Sequence, residues 1–205
     1  NTAYNPMTVE GKKTVSLEIF NDLNIAPDYV FVPVGDGVII SGVIKGFLDL
    51  KKCGAIDKIP KIIGVQAENS SFIAKAFKTG NFDENYRAST LADSISVDIA
   101  RNGYKAVADM KNIAGEFVNV NDDEILYAQK YFSKMTGVFS EPAASASFAG
   151  FLKLRDKIEK NSKIVLLATG NGLKDIDNAM KKIDFPEVLP ADLDVIEEFL
   201  SKKNN

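Results

Sequence analysis

The 205-residue sequence contains no histidine and no tryptophan, and it has a single cysteine, Cys53. Without histidine, a Ser-His-Asp or Cys-His nucleophile pair, an imidazole general base and any His-ligated metal site cannot be assembled within this chain. One cysteine excludes an internal disulfide and any CxxC redox or zinc pair. Chemistry therefore falls to carboxylates, lysines, hydroxyls, backbone dipoles or a cofactor, and no metal site is expected. Long apolar runs are missing as well. Stretches such as residues 29–34 fall far short of the ~20 residues that cross a bilayer, and the first residues carry no basic-then-apolar signal pattern. Nor is there a strong charge of one sign: 28 acids against 25 bases leave a net of −3. Lys and Arg are scattered rather than gathered in a stripe, so neither a nucleic-acid nor a membrane partner is expected. A cytoplasmic, soluble protein is the default.

What is present is the ordinary mixture of a folded chain, 45% hydrophobic and 26% charged, with enough length for a sizeable core. The sequence begins at Asn1 and enters a helix-like segment at once, which points to a piece of something longer. Over residues 9–23, Val15, Ile19 and Leu23 recur every four residues, with Leu17 and Phe20 broadening the stripe, and predict one amphipathic helix. Residues 29–34 form an almost unbroken apolar, β-branched run that suits a strand covered on both faces, with Pro33 near its end. Gly35-Asp36-Gly37 and a helical stretch over 38–50 follow. The unit recurs: residues 62–66 read as a second buried strand, and Ser70 or Ser71 caps a helix stopped by Gly80. Residues 81–103 lack periodicity and predict a long connection of the kind that often carries function. A helix over 104–113 and a short strand over 117–120 come next.

Asn121-Asp122-Asp123-Glu124 has the pattern of a capping box opening a helix with Ile125, Ala128, Phe132 and Met135 on one face. Glu141-Pro142 opens another, whose Ala- and Ser-rich first turns allow close approach to a sheet. Residues 163–168 form a third strand, ending in Thr169-Gly170-Asn171-Gly172, and a last helix covers 193–200. Strands alternating with helices predict an α/β fold, an open, mostly parallel sheet with helices on both faces.

In such sheets ligands bind beyond the carboxyl ends of the strands, near a topological switch point. Gly35-Asp36-Gly37 precedes a helix whose first amides make an anion site, so a phosphate there is physically reasonable. A sharp strand-to-helix turn with Asp36 as a simple cap is the competing explanation. The segment GDGVIISGVIKG has no GK[ST], which excludes a Walker loop, and Ile40 stands where a dinucleotide fingerprint needs its third glycine. Glu141 and Ser140 either face a cleft or merely begin a helix. Asp93 and Ser94 either reach the site or form a turn. Cys53 reads as a partly buried, inert thiol, and residues 122–124 as a cap rather than a metal site.

Five ordered motifs carry a resemblance: Glu10-Gly11-Lys12-Lys13-Thr14, VPVGDGVIISGVIKGF from Val32, TLADSIS from Thr90, SEPAASASFAG from Ser140 and LLATGNGLKD from Leu166. Together, over about residues 5–175, the sequence resembles the threonine synthase family, fold type II enzymes dependent on pyridoxal 5′-phosphate (PLP). The resemblance implies that residues 1–205 are the C-terminal part of the PLP-binding large domain. It places the Schiff-base lysine segment and a small domain upstream of Asn1, so no catalytic residue is assigned in this chain. Lys12, Lys13 and Lys45 each sit in a helix pattern where a solvated lysine is the ordinary reading.

The family's phosphate-holding glycine loop corresponds here to Gly35, Asp36, Gly37, Val38 and Ile39, departing from the common GNxGN form at Asp36, Val38 and Ile39. Thr169 takes the position whose hydroxyl faces the pyridine nitrogen. The implied reaction of the intact enzyme is conversion of O-phosphohomoserine and water to threonine and phosphate, a carbon–oxygen lyase step in threonine biosynthesis. Its partners would be a phosphorylated amino-acid substrate, the missing N-terminal segment and, by analogy alone, a second copy in a homodimer. The chain by itself would be inactive. The alternatives are another fold type II amino-acid lyase or β-replacement enzyme, or a non-catalytic fragment.

Overall fold

The structure, a computed structural model, describes residues 2–83, 85–181, 183 and 188–203. Two short helices, α1 (Pro6–Lys12) and α2 (Thr14–Leu23), lead into strand β1 (Tyr29–Pro33) and helix α3 (Val38–Lys52). Strand β2 (Lys61–Ala67), α4 (Phe72–Thr79), α5 (Gly103–Asn112) and β3 (Glu116–Val120) follow. Then come α6 (Asp122–Thr136), α7 (Pro142–Leu154), β4 (Ile164–Leu166), α8 (Ile176–Met180) and α9 (Leu193–Lys203). The strands make one four-stranded sheet in the order β3-β2-β1-β4, and all three pairings are parallel.

The pleat sends alternate side chains to opposite faces, and both faces are covered, which is why β1 and β2 read as continuous apolar runs. Val30, Val32 and Ile62 pack with Ile40, Val43, Ile44 and Phe47 of α3 and with α4 and α5. Phe31, Ile63 and Val65 face the other way, into α6 and α7. The Ala- and Ser-rich start of α7 is buried from Pro142 to Gly150. A side chain at Gly150 would press to 2.5 Å from Val65 Cγ2, so small residues set how closely α7 lies on the sheet.

The chain visits β1, β2 and β3 in one direction with α3, α4 and α5 on one face. It then returns past β1 to β4 with α6 and α7 on the other. The reversal places the switch point between β1 and β4, where the loops leaving adjacent strands diverge and open a crevice.

Several expectations from the sequence hold in detail. Asn121 and Glu124 form the reciprocal capping box, and Gly80 ends α4 in the left-handed conformation, φ 75°. Others shift. The single helix over 9–23 is two, divided at Lys13, whose carbonyl packs against Gly46 of α3. Ser71 precedes α4 but gives its hydroxyl to the Glu68 carbonyl instead of capping the helix. Met135 is exposed rather than on the buried face of α6, and Cys53 is exposed rather than partly buried.

Asp28 fastens the strand entrances. Its carboxylate accepts the Lys163 N–H at 2.9 Å and the Lys58 ammonium at 3.0 Å, while its carbonyl accepts the Lys61 N–H at 2.9 Å. Backbone donation from Lys163, then the Lys58 charge, holds this carboxyl below the usual aspartate range. A depressed acid stabilises the fold above its unfolded value of ~3.9, and that contribution is lost as pH falls below it, through the folded value. Asp28→Asn is therefore expected to flatten the loss of stability between about pH 5 and 3. Urea midpoints across that range test this, and slopes equal to those of the unaltered chain would contradict it.

Candidate functional site

At the switch point, residues 33–37 leaving β1, the first turn of α3, the turn around Ser94, the start of α7 and the loop after β4 enclose a cleft of about 260 Å³. Gly35, Asp36, Gly37, Ile39, Ser94, Glu141, Thr169 and Lys174 line it. Gly35, Asp36, Gly37 and Ile39 thus meet Thr169, some 130 positions later in the chain, across one crevice, whereas Val38 is turned away and buried with Ala3 and Val9.

The β1 side carries the glycine loop and the start of α3. Gly37 is the residue before α3, with φ 90°, and a Cβ on it would lie 2.8 Å from Ala106 Cβ. Only glycine takes this conformation at little cost in this space. The Asp36 carboxylate accepts the Val38 N–H at 3.1 Å, so Val38, itself buried, has its amide occupied by the neighbouring acid. Among the described residues no protein acceptor takes the amides of Gly37, Ile39 or Ile40. They open the 15-residue helix α3, where unpaired N–H groups and the helix dipole favour negative charge.

Thr169 stands exposed on the opposite wall, and its hydroxyl has no protein partner among the described residues. Glu141 forms the third wall. Its side chain is 7% exposed, and one carboxylate oxygen receives the Lys174 ammonium at 3.0 Å and the Ser94 hydroxyl at 3.2 Å. The Glu141 N–H donates to the Gly170 carbonyl at 2.9 Å. Gly170 must lack a side chain here, since a Cβ would collide with the Glu141 carboxylate.

Of the weaker candidates, Ser94 and Glu141 reach the cleft, and Asp93 lines the adjoining hollow. Ser140 does not, because its hydroxyl is paired with Ser145 and it is buried behind the α7 start. Lys13 and Lys45 are engaged elsewhere, in a network with Glu10 and Asp49 between α1 and α3. There the hydrogen bonds from Lys13 pull the carboxyls of Glu10 and Asp49 down, and the two acids push the Lys13 ammonium up.

Two residues escaped sequence reasoning. Lys174 lies within the LLATGNGLKD motif but was not singled out there, and it lines this cleft with its charge held by Glu141. Asn102, at the end of the irregular connection, donates its side-chain amide to the Gly37 carbonyl at 2.9 Å. Neither could be found by spacing, because each acts on partners distant in the chain.

An open parallel sheet with a glycine loop and a helix start at its switch point has the architecture in which an anionic ligand can be held at that crevice. Residues 1–170 match the family of pyridoxal-phosphate dependent enzymes, and the chain belongs to it. The family's cofactor is pyridoxal 5′-phosphate.

Among curated proteins, the sequence is 36% identical over 203 residues to a threonine synthase of Methanocaldococcus jannaschii, covering 97% of this chain and 50% of that protein. It is 35% identical over 194 residues to a threonine synthase of Mycobacterium tuberculosis, covering 94% of this chain and 52% of that protein. The chain spans about half the length of these relatives. Among solved structures, threonine deaminase isoform 2 from Solanum lycopersicum superposes with a TM-score of 0.72 at 25% identity, over 86% of this chain and 49% of that one. An L-serine ammonia-lyase from Rhizomucor miehei gives 0.71 at 23%, over 85% and 56%. Both bear out the fold.

The residues present fit the cofactor. Helix-start residues whose amides have no acceptor among the described residues line a cleft whose far wall offers a neutral hydroxyl, the kinds of group that a phosphate and a pyridine nitrogen need. Among the described residues, no helix is long and apolar enough to cross a membrane.

Proposed function

We propose that these residues are the cofactor-cradling half of a PLP-dependent lyase that converts O-phosphohomoserine and water to threonine and phosphate. The observation that carries it is the meeting of the 35–37 loop and Thr169 across the β1–β4 crevice. The threonine synthases among its relatives support the choice of reaction.

When bound, pyridoxal phosphate supplies an electron sink for carbanions on the substrate. The chain's own part is to hold it. Gly35 lets the loop lie against the turn at Ser94 and Ile95, and the amides of Gly37 and Ile39 receive the phosphate. Val38 contributes its place in the loop rather than a free donor, since its N–H donates to the Asp36 carboxylate. The Thr169 hydroxyl would hold the ring nitrogen, and a neutral partner there would moderate the electron sink that the cofactor supplies. Glu141, fixed by Lys174 and Ser94, closes the wall. The Schiff-base lysine and the substrate-carboxylate contacts lie on an upstream segment, so the 205 residues alone bind the cofactor weakly and turn nothing over. The intact enzyme is cytoplasmic and homodimeric in this proposal.

The acid at Asp36, beside the phosphate position, favours a second reading: a fold type II amino-acid lyase or β-replacement enzyme with a different substrate. Adding PLP to the intact polypeptide should change its visible absorbance, and O-phosphohomoserine should then release inorganic phosphate. Ammonia from serine or threonine without phosphate release would select the second reading, and a silent PLP titration would overturn both.

A further inference from the structure

Asn102 occupies the position before α5, where an Asn side chain ordinarily turns its oxygen to the first amides of its own helix. It makes no such bond here. Although only 8% exposed, it reaches instead to the glycine loop. Its side-chain amide donates to the Gly37 carbonyl at 2.9 Å and the Ser41 hydroxyl at 3.0 Å, and its backbone N–H donates to the Asp36 carbonyl at 3.2 Å.

The peptide bond is planar and trans, so a carbonyl fixed in one direction sends the next residue's N–H in the opposite one. Holding the Asp36 carbonyl towards α5 aims the Gly37 N–H away from α5. Holding the Gly37 carbonyl, which also accepts the Ser41 N–H at 3.2 Å, does the same for the Val38 N–H, the one that the Asp36 carboxylate accepts. Two successive peptide planes of the loop are thus both tied to Asn102, which does not itself line the cleft.

We propose that Asn102 is a positioning residue of the phosphate loop: its side chain and its N–H tie the Gly37 and Asp36 carbonyls to the start of α5, and the loop so held presents the Gly37 N–H to the phosphate of the cofactor. The proposal rests on the phosphate-loop reading given above. A tie with only a structural role would affect every ligand of the cleft alike, whereas aiming amides matters only for a ligand that carries a phosphate.

The test compares PLP with pyridoxal, which lacks the phosphate, in the intact polypeptide. Asn102→Ala and Asn102→Asp are read together, since the second keeps the side-chain volume if truncation unfolds the chain. Each should weaken PLP about tenfold or more, the loss of one well-aligned charge-assisted hydrogen bond at ~1.4 kcal/mol per decade. Each should leave pyridoxal within about twofold and move the phosphorus resonance of bound PLP. Ser41→Ala, which removes the second acceptor only, should leave both affinities within about threefold. Equal weakening of PLP and pyridoxal, or of neither, overturns the role of Asn102 while leaving the phosphate loop standing. An unaltered protein that binds PLP no better than pyridoxal overturns the loop reading and the inference with it.

Discussion

Gly37→Ala is expected to destabilise the fold by roughly 2–4 kcal/mol and to abolish measurable PLP binding. Two costs add. An alanine at φ 90° is strained by about 1 kcal/mol or more. Its Cβ would also stand 2.8 Å from Ala106 Cβ and 3.0 Å from Ile73 Cδ1, both in helices already packed on the sheet. Overpacking of this kind costs ~1–3 kcal/mol. Gly80 provides the control, because it has φ 75° but nothing within 4 Å of the place a methyl group would take, so Gly80→Ala incurs the backbone cost alone. Urea midpoints should separate the two variants clearly. If they fall together, the loop is not packed against α4 and α5 as described.

Asp36→Asn is expected to tighten PLP by about ten- to a hundredfold, with pyridoxal unchanged. Asparagine keeps an oxygen for the Val38 N–H, so the turn survives, and it removes the charge. Two unit charges ~5 Å apart repel by about 3 kcal/mol at an effective dielectric of ~20, before ions screen them, and a phosphate held by the Gly37 and Ile39 amides shares the loop with this carboxylate. Fluorescence titrations with the two ligands give the comparison. A weaker PLP complex in Asp36→Asn would mean that the acid assists binding rather than opposing it.

Much of the fold was legible because its signals are local. Buried parallel strands announce themselves as apolar runs, as at 29–34 and 62–66. The Asn121–Glu124 box and the Gly80 stop are chemical statements about helix ends. The failures share a cause, which is that tertiary packing overrode the local pattern. The stripe Val15, Ile19, Leu23 could not show that the helix breaks at Lys13, since the reason lies in α3, at Gly46. The run at 163–168 read as a strong strand but is regular only over Ile164–Leu166, because β4 pairs with β1 on one side alone.

The site divides in the same way. Its glycines sit beside their strands and could be found, and Asp36 stood out as an acid next to a phosphate position. Its pairing with the Val38 N–H is seen in the folded chain. Glu141 could be named but not oriented. Asn102 and Lys174 belong to segments without periodicity, and their roles come from partners that only folding brings near.

The central claim is that the crevice between β1 and β4 holds pyridoxal phosphate by its phosphate at the glycine loop and by its ring at Thr169. A crystal structure of the intact polypeptide with PLP tests it most directly. Phosphate oxygens are expected within hydrogen-bond reach of the Gly37 and Ile39 amides, with the pyridine nitrogen facing the Thr169 hydroxyl. A cofactor bound with its phosphate away from residues 35–39 would contradict the claim.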